Sequence, residues 1–204
     1  MTGTDKISPL LVLTWATVLV VCALLLTLTN HLTKTRIAEN RQEATLKVLR
    51  QIIPGQYNND VFKDTLQVSE PGFLGTDRPV TVYRSRNGDT LLGVVFTPVI
   101  AEGYNGPIQL GIGISSEGVV TGVRVMHEEE TDGLGAEVNQ QNSDWILVFT
   151  GQSYQTVPRE QWDVSSENGY FDQISGATIT SRSVINAVRN TLDYHELAGE
   201  TLYK

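Results

Sequence analysis

Val80-Thr81-Val82-Tyr83, then Arg86-Asn87-Gly88-Asp89, then Thr90-Leu91-Leu92-Gly93-Val94-Val95-Phe96 reads as strand, turn, strand. β-Branched and aromatic residues favour extended backbone. Asn-Gly between two such runs is a strong hairpin signal, because both residues tolerate the positive φ of a two-residue turn. A second pair follows, with Pro107 to Ile114 and Val119 to Met126 flanking Ser115-Ser116-Glu117-Gly118. These runs alternate only in part, as strands with a buried face do. Further on, Val184, Ile185, Val188 and Leu192 recur at helical spacing, which predicts a helix from about Ser181 to His195. Hairpins followed by a helix predict an α+β fold with a mainly antiparallel sheet.

Outward from this centre the signals thin. Residues 128 to 143 are polar and Gly-containing and read as loop. The apolar run within Asp144 to Gly151 is too short to separate helix from strand. Residues 56 to 77 carry little periodicity and read as loop-rich. Before them, Thr33 to Ile53 has helical composition, with Ile37, Ala44, Leu46, Leu49, Ile52 and Ile53 apolar, and Pro54-Gly55 ends it.

Leu10 to Thr29 is twenty residues without a charge, and its only polar side chains are four threonines. That length crosses a bilayer core. A cleaved signal peptide has a shorter apolar region, about 7–15 residues, ending at a small-x-small site. Thr27-Leu28-Thr29-Asn30-His31-Leu32 offers none, so the run reads as a retained anchor. The division expected is an N-terminal tail over 1–9, a transmembrane anchor over 10–30, a helical connector over 31–55 and a soluble domain over 56–204.

The net charge is −8, and Asp5 and Lys6 cancel within the tail. The excess lies beyond the anchor, which disfavours nucleic acid as a partner. The single cysteine, Cys22, sits inside the apolar run. It excludes a disulfide within the chain and Cys₄ iron–sulfur ligation. His127 and His195 have no Cys or paired carboxylate at metal spacing, so no metal site is expected. Ser175 lies in no Gly-x-Ser-x-Gly elbow and has no assignable His, which disfavours a hydrolase. Lys34, Arg36, Arg41, Lys47 and Arg50 follow the anchor, whereas Lys6 precedes it. The positive-inside rule taken alone places the domain in the cytoplasm.

Two stretches can carry chemistry. One is Phe171-Asp172-Gln173-Ile174-Ser175-Gly176-Ala177-Thr178-Ile179-Thr180-Ser181-Arg182. On local chemistry alone it is a loop feeding a helix. A helix start also offers unpaired N–H groups and a positive dipole end, which suit a phosphate on Thr178 with Arg182 one turn on. The other is His127-Glu128-Glu129-Glu130-Thr131-Asp132-Gly133-Leu134-Gly135-Ala136-Glu137, which on its own is a Gly-rich loop. Its glycines would let backbone approach a flat ring, with Leu134 against the ring face and Glu130 and Thr131 as hydrogen-bonding groups.

The Asp-x-x-Ser-Gly-Ala-Thr run resembles the flavinylation motif of the FMN-binding family, and the loop resembles the same family's Glu-Thr-x-Gly-Leu-Gly segment. Asp132 stands where relatives commonly have Pro. Gly103-Tyr104-Asn105-Gly106-Pro107-Ile108, the strand pair up to Met126 and the Ser-Asp-Trp145 segment are similar to the G subunits of the Rnf (Rsx) electron-transport complexes, over nearly the whole chain. The resemblance implies FMN linked by a phosphodiester to Thr178, installed by a flavin transferase that uses FAD and Mg²⁺ and recognises a motif including Asp172. It implies a cofactor-contacting set of Glu130, Thr131, Gly133, Leu134, Gly135, Ser175, Gly176, Ala177, Thr180 and Arg182. Thr180 is the rival attachment point, with helix capping as its ordinary role. It implies an electron-transfer subunit of a ferredoxin:NAD oxidoreductase complex coupled to ion translocation. Its partners would be the other complex subunits and membrane lipid, and its domain would be periplasmic on a bacterial inner membrane, against the charge count. A cofactor-free membrane-anchored assembly subunit, and an anchored FMN-domain protein of another redox pathway, are the alternatives.

Overall fold

The computed structural model describes residues 9–203. The tail charges Asp5 and Lys6 lie outside them. One helix, α1, runs Pro9–Ile52. The anchor and connector read from composition are therefore one uninterrupted helix, because no Gly or Pro falls between them. The chain divides into two compact units between Ala44 and Thr45.

In the first unit, Val12–Lys34 is a helix long and apolar enough to cross a membrane. Three of its threonines bond back into the helix. Thr17 Oγ1 donates to the Thr14 carbonyl at 2.8 Å, Thr27 Oγ1 to Ala23 at 2.9 Å and Thr33 Oγ1 to Thr29 at 2.8 Å. A hydroxyl satisfied this way is tolerated in hydrocarbon.

The second unit is built on five strands: β1 (Thr65–Val68), β2 (Val80–Asn87), β3 (Thr90–Glu102), β4 (Pro107–Ser115) and β5 (Val120–His127). They form one sheet in chain order, each pair antiparallel. Asn87 pairs with Thr90, and Gly88 turns the hairpin at φ 60°. The expected loop-rich stretch 56–77 contains β1 and a short helix, α2 (Pro71–Leu74). Four residues are too few to carry a periodic signal, and β1 is recruited by pairing with β2.

Both faces of the sheet are covered, which is why the strands alternate incompletely. On one face Val82, Phe96, Leu110, Ile112 and Val123 join Val184, Ile185, Val188 and Leu192 of α3 (Thr178–Tyr203) in the main core. On the other, Leu49 and Ile52 of α1 pack on Val95, with Phe62 and Tyr83 beside them. α3 begins three residues earlier than the periodicity predicts and runs eight further. Buried Leu202 extends its apolar contacts beyond the predicted end. The ambiguous Asp144–Gly151 run contains a 3₁₀ turn, Trp145–Phe149.

Candidate functional site

Aromatic packing sets the approach to α3. Phe149, Trp162 and Phe171 are buried together, with ring centroids 5.0 Å apart for Phe149–Phe171 and 4.9 Å for Trp162–Phe171. The Trp162 indole N–H donates to the Val157 carbonyl at 3.0 Å, which satisfies its one donor inside the core. From Phe171 the chain emerges, and Asp172 is exposed. Trp145 holds it there by donating its indole N–H to the Asp172 carbonyl at 2.6 Å.

A tight turn then leads into the helix. The Ala177 N–H donates to the Ile174 carbonyl at 3.0 Å, with Gly176 in the third position at φ 77°. That position takes glycine most cheaply. A Cβ on Gly176 would also lie 2.8 Å from Leu134 Cδ2, so the turn and the 131–135 loop are in contact. The Ile174 N–H donates to Ser181 Oγ at 3.0 Å. Ser181 N–H is the first in α3 to find a helical carbonyl partner, that of Ala177. The N–H groups of Thr178, Ile179 and Thr180 are thus the open donors of the first turn.

Three hydroxyls lie close together here, and the fold treats them differently. Thr180 and Ser181 are 1% and 0% exposed. Thr180 Oγ1 donates to Glu130 Oε2 at 2.7 Å, and Ser181 Oγ donates to the Ala177 carbonyl at 3.0 Å. Thr178 is part-exposed at the first position of the helix. A phosphate esterified to its oxygen fits, with three N–H donors and the positive helix end beside it.

The loop has an inner and an outer side. Outside, Thr131, Gly133 and Leu134 are exposed, and the space a Cβ on Gly133 would enter is open. Gly133 has φ 75°, a left-handed value that favours glycine. Inside, Gly135 is buried, and a Cβ there would overlap the Glu130 carboxylate. Both Glu130 oxygens face protein. Oε1 accepts the Asn105 N–H at 2.8 Å and Oε2 accepts Thr180. Asn105 also donates its side-chain amide to Thr131 Oγ1 at 3.0 Å. Arg182 is held by two acids, its Nε to Asp163 at 3.3 Å and its terminal nitrogen to Glu167. Ser175 and Gly176 are exposed, and Ala177 is buried under them. His127 is exposed beside Glu129, and His195 is buried in α3.

The sequence motifs place the loop and the turn in one site without a reason for their meeting. Asn105 braces the loop, Trp145 and Ser181 brace the turn, and none of the three is among the site residues the motifs name. The bonds of the first two span 25 and 27 residues, beyond any local pattern. Only Ser181, bonded within its own turn, follows a local rule for caps.

Residues 103–193, which carry β4, β5, the Gly-rich loop and most of α3, match the FMN-binding domain family. Residues 13–52 match the RnfG N-terminal region. The chain is 35% identical over 182 residues to the G subunit of the ion-translocating oxidoreductase complex of Shewanella loihica, covering 89% of this chain and 86% of that one. It is 35% identical to the corresponding G subunit of Pseudoalteromonas atlantica over 180 residues, 88% and 84% of the two chains. With that of Vibrio cholerae it shares 35% identity over 170 residues, 83% and 81%. The chain belongs to the family of G subunits of ion-translocating oxidoreductase complexes.

Proposed function

We propose that this chain is the flavin-carrying electron-transfer subunit of a membrane-bound ferredoxin:NAD oxidoreductase complex coupled to ion translocation, with FMN esterified through its phosphate to Thr178. The observation that carries the reading is the contrast at the start of α3: Thr180 and Ser181 are buried and engaged, and Thr178 is open. Attachment is a phosphoryl transfer. Thr178 Oγ bonds to the FMN-side phosphorus of FAD as the bond from that phosphorus to the bridging oxygen breaks. AMP leaves with the electron pair, and the hydroxyl proton is released. Exposed Asp172 stands six residues before the hydroxyl, where a transferase can read it.

Once bound, FMN supplies one- and two-electron chemistry, and the protein supplies position and environment. Leu134, Thr131 and Gly133 offer an exposed rim for the ring and ribityl chain. Glu130, Gly135, Ala177 and Thr180 support that rim from within. Arg182, paired with Asp163 and Glu167, lies one helical turn from Thr178. The domain is periplasmic and the anchor lies in the inner membrane among the other subunits of the complex and lipid.

The test is electron flow in the assembled complex. Thr178→Ala should leave the complex assembled and abolish ferredoxin-dependent NAD reduction. Undiminished electron transfer in that variant would favour a scaffold role.

A further inference from the structure

Glu130 joins three segments that are distant in sequence. Its own loop carries it, Oε1 accepts the Asn105 N–H from the β3–β4 turn, and Oε2 accepts the Thr180 hydroxyl in the first turn of α3. Two glycines make the room. A Cβ on Gly103 would crowd Oε1, and one on Gly135 would overlap Oε2. Its backbone is held as well, since the Glu130 N–H donates to Glu128 Oε2 at 2.7 Å. The carboxylate is part-buried, with one protein donor on each of its oxygens.

The first turn of a helix is where backbone bonds are missing and fraying begins. Thr178 lies in that turn, two residues from Thr180. A hydrogen bond to a carboxylate is stronger than one between neutral groups. We propose that Glu130 is a positioning residue for flavin attachment: by clamping Thr180 to the β3–β4 turn, it holds the start of α3 in the conformation that presents the Thr178 hydroxyl. It acts through Thr180 and does not touch the reacting atoms. The proposal rests on the reading that Thr178 accepts FMN.

The experiment uses the full chain in detergent, free of flavin, with flavin transferase, FAD and Mg²⁺. The initial rate of covalent flavin gain is read by fluorescence after denaturation, and the thermal midpoint is measured alongside. Rates are compared well below the midpoint of every variant. Glu130→Ala and Thr180→Val should slow attachment about tenfold, the scale of one lost charge-assisted hydrogen bond. The label should still map to Thr178 and reach the parent's end point. Gly135→Ala, which expels the carboxylate, should match Glu130→Ala. Glu130→Gln should recover to within about threefold, because its amide oxygen accepts from Asn105 while its NH₂ donates to the Thr180 hydroxyl. Should Glu130→Ala not fold, Thr180→Val against Thr180→Ser gives the same contrast, with Ser retaining the rate. A lowered midpoint with an unchanged rate, or Glu130→Gln as slow as Glu130→Ala, overturns the proposal. A parent protein that gains no flavin at Thr178 overturns the attachment reading first, and this one with it.

Discussion

Two threonines stand two residues apart at the start of α3, and burial separates their chemistry. Thr178 is open, whereas Thr180 is tied to Glu130. Thr178→Ala and Thr178→Val should therefore gain no flavin, and Thr178→Ser should retain some, since the hydroxyl remains. Thr180→Ala should still be labelled on Thr178 at long times. Denaturing gels viewed by flavin fluorescence decide between these outcomes. Leu134 is 43% exposed and Ile179 55% exposed, a large apolar display beside one hydroxyl. If Leu134 lies against the ring, Leu134→Ala should leave covalent flavin in place and make its fluorescence more accessible to a soluble quencher. Unchanged quenching would remove Leu134 from the ring's surroundings. The sequence motifs named Thr178 as the proposed attachment point through the family, and the loop through its glycines. They assigned Glu130 to the cofactor, and its protein partners were out of reach of the sequence. Its partner Thr180 is fifty residues away, and nothing local marks a glutamate whose two oxygens are both engaged.

Among the elements, the last turns of α1 meet the sheet at a row of shrinking side chains. Tyr83, Val95, Gly113 and Gly122 are consecutive register partners across β2, β3, β4 and β5. Ile52 settles where the row reaches glycine. A Cβ on Gly122 would lie 2.8 Å from Ile52 Cγ2, and one on Gly113 would overlap the Ile52 carbonyl oxygen. Thr121 Oγ1 donates to that same carbonyl at 2.5 Å, satisfying a helix-end group that α1 leaves open. Gly113→Ala should therefore destabilise the domain by about 1–3 kcal/mol through overpacking. Ile52→Ala should cost about 2–5 kcal/mol through the cavity it leaves. Denaturant unfolding followed by tryptophan fluorescence measures both, and an unchanged midpoint in either would refute the docking. The helix and the strands were legible from their periodicity and hairpin signals. Their contact was not, because a glycine notch reads in sequence only as weak strand. His195 in α3 adds a pH dependence. Burial pushes its pKa down to about 4 from an ordinary 6.5. The unfolded chain then binds the proton more readily, so stability is full above pH 6.5 and falls as pH drops towards 4. About 2 kcal/mol should be lost by pH 5 from this group. His195→Gln should remove that share of the difference in unfolding free energy between pH 7 and pH 5, and an undiminished difference would contradict it.

For the whole molecule, charge and the proposed function point to opposite sides of the membrane. The cations that follow the apolar run pull its C-terminal flank towards the cytoplasm. The proposed function puts the domain in the periplasm, where neighbouring subunits would hold one span against a short flank's bias. Alkaline phosphatase fused at the C-terminus should be active. Protease added to spheroplasts should remove the domain, and protection there would place the flavin on the cytoplasmic side. The apolar length of the span was plain in the sequence, since hydropathy is a local sum. Orientation is not such a sum, since the flanking charges and the proposed partners oppose each other. Whichever side the domain faces, its proposed chemistry depends on one covalent bond. Intact mass of the full chain made with its flavin transferase, followed by fragmentation of the peptide spanning Asp172 to Arg182, tests that bond. A gain of one FMN less one water, carried by Thr178, is the expected result. A native chain of unmodified mass, or the gain carried by any other residue, would refute it.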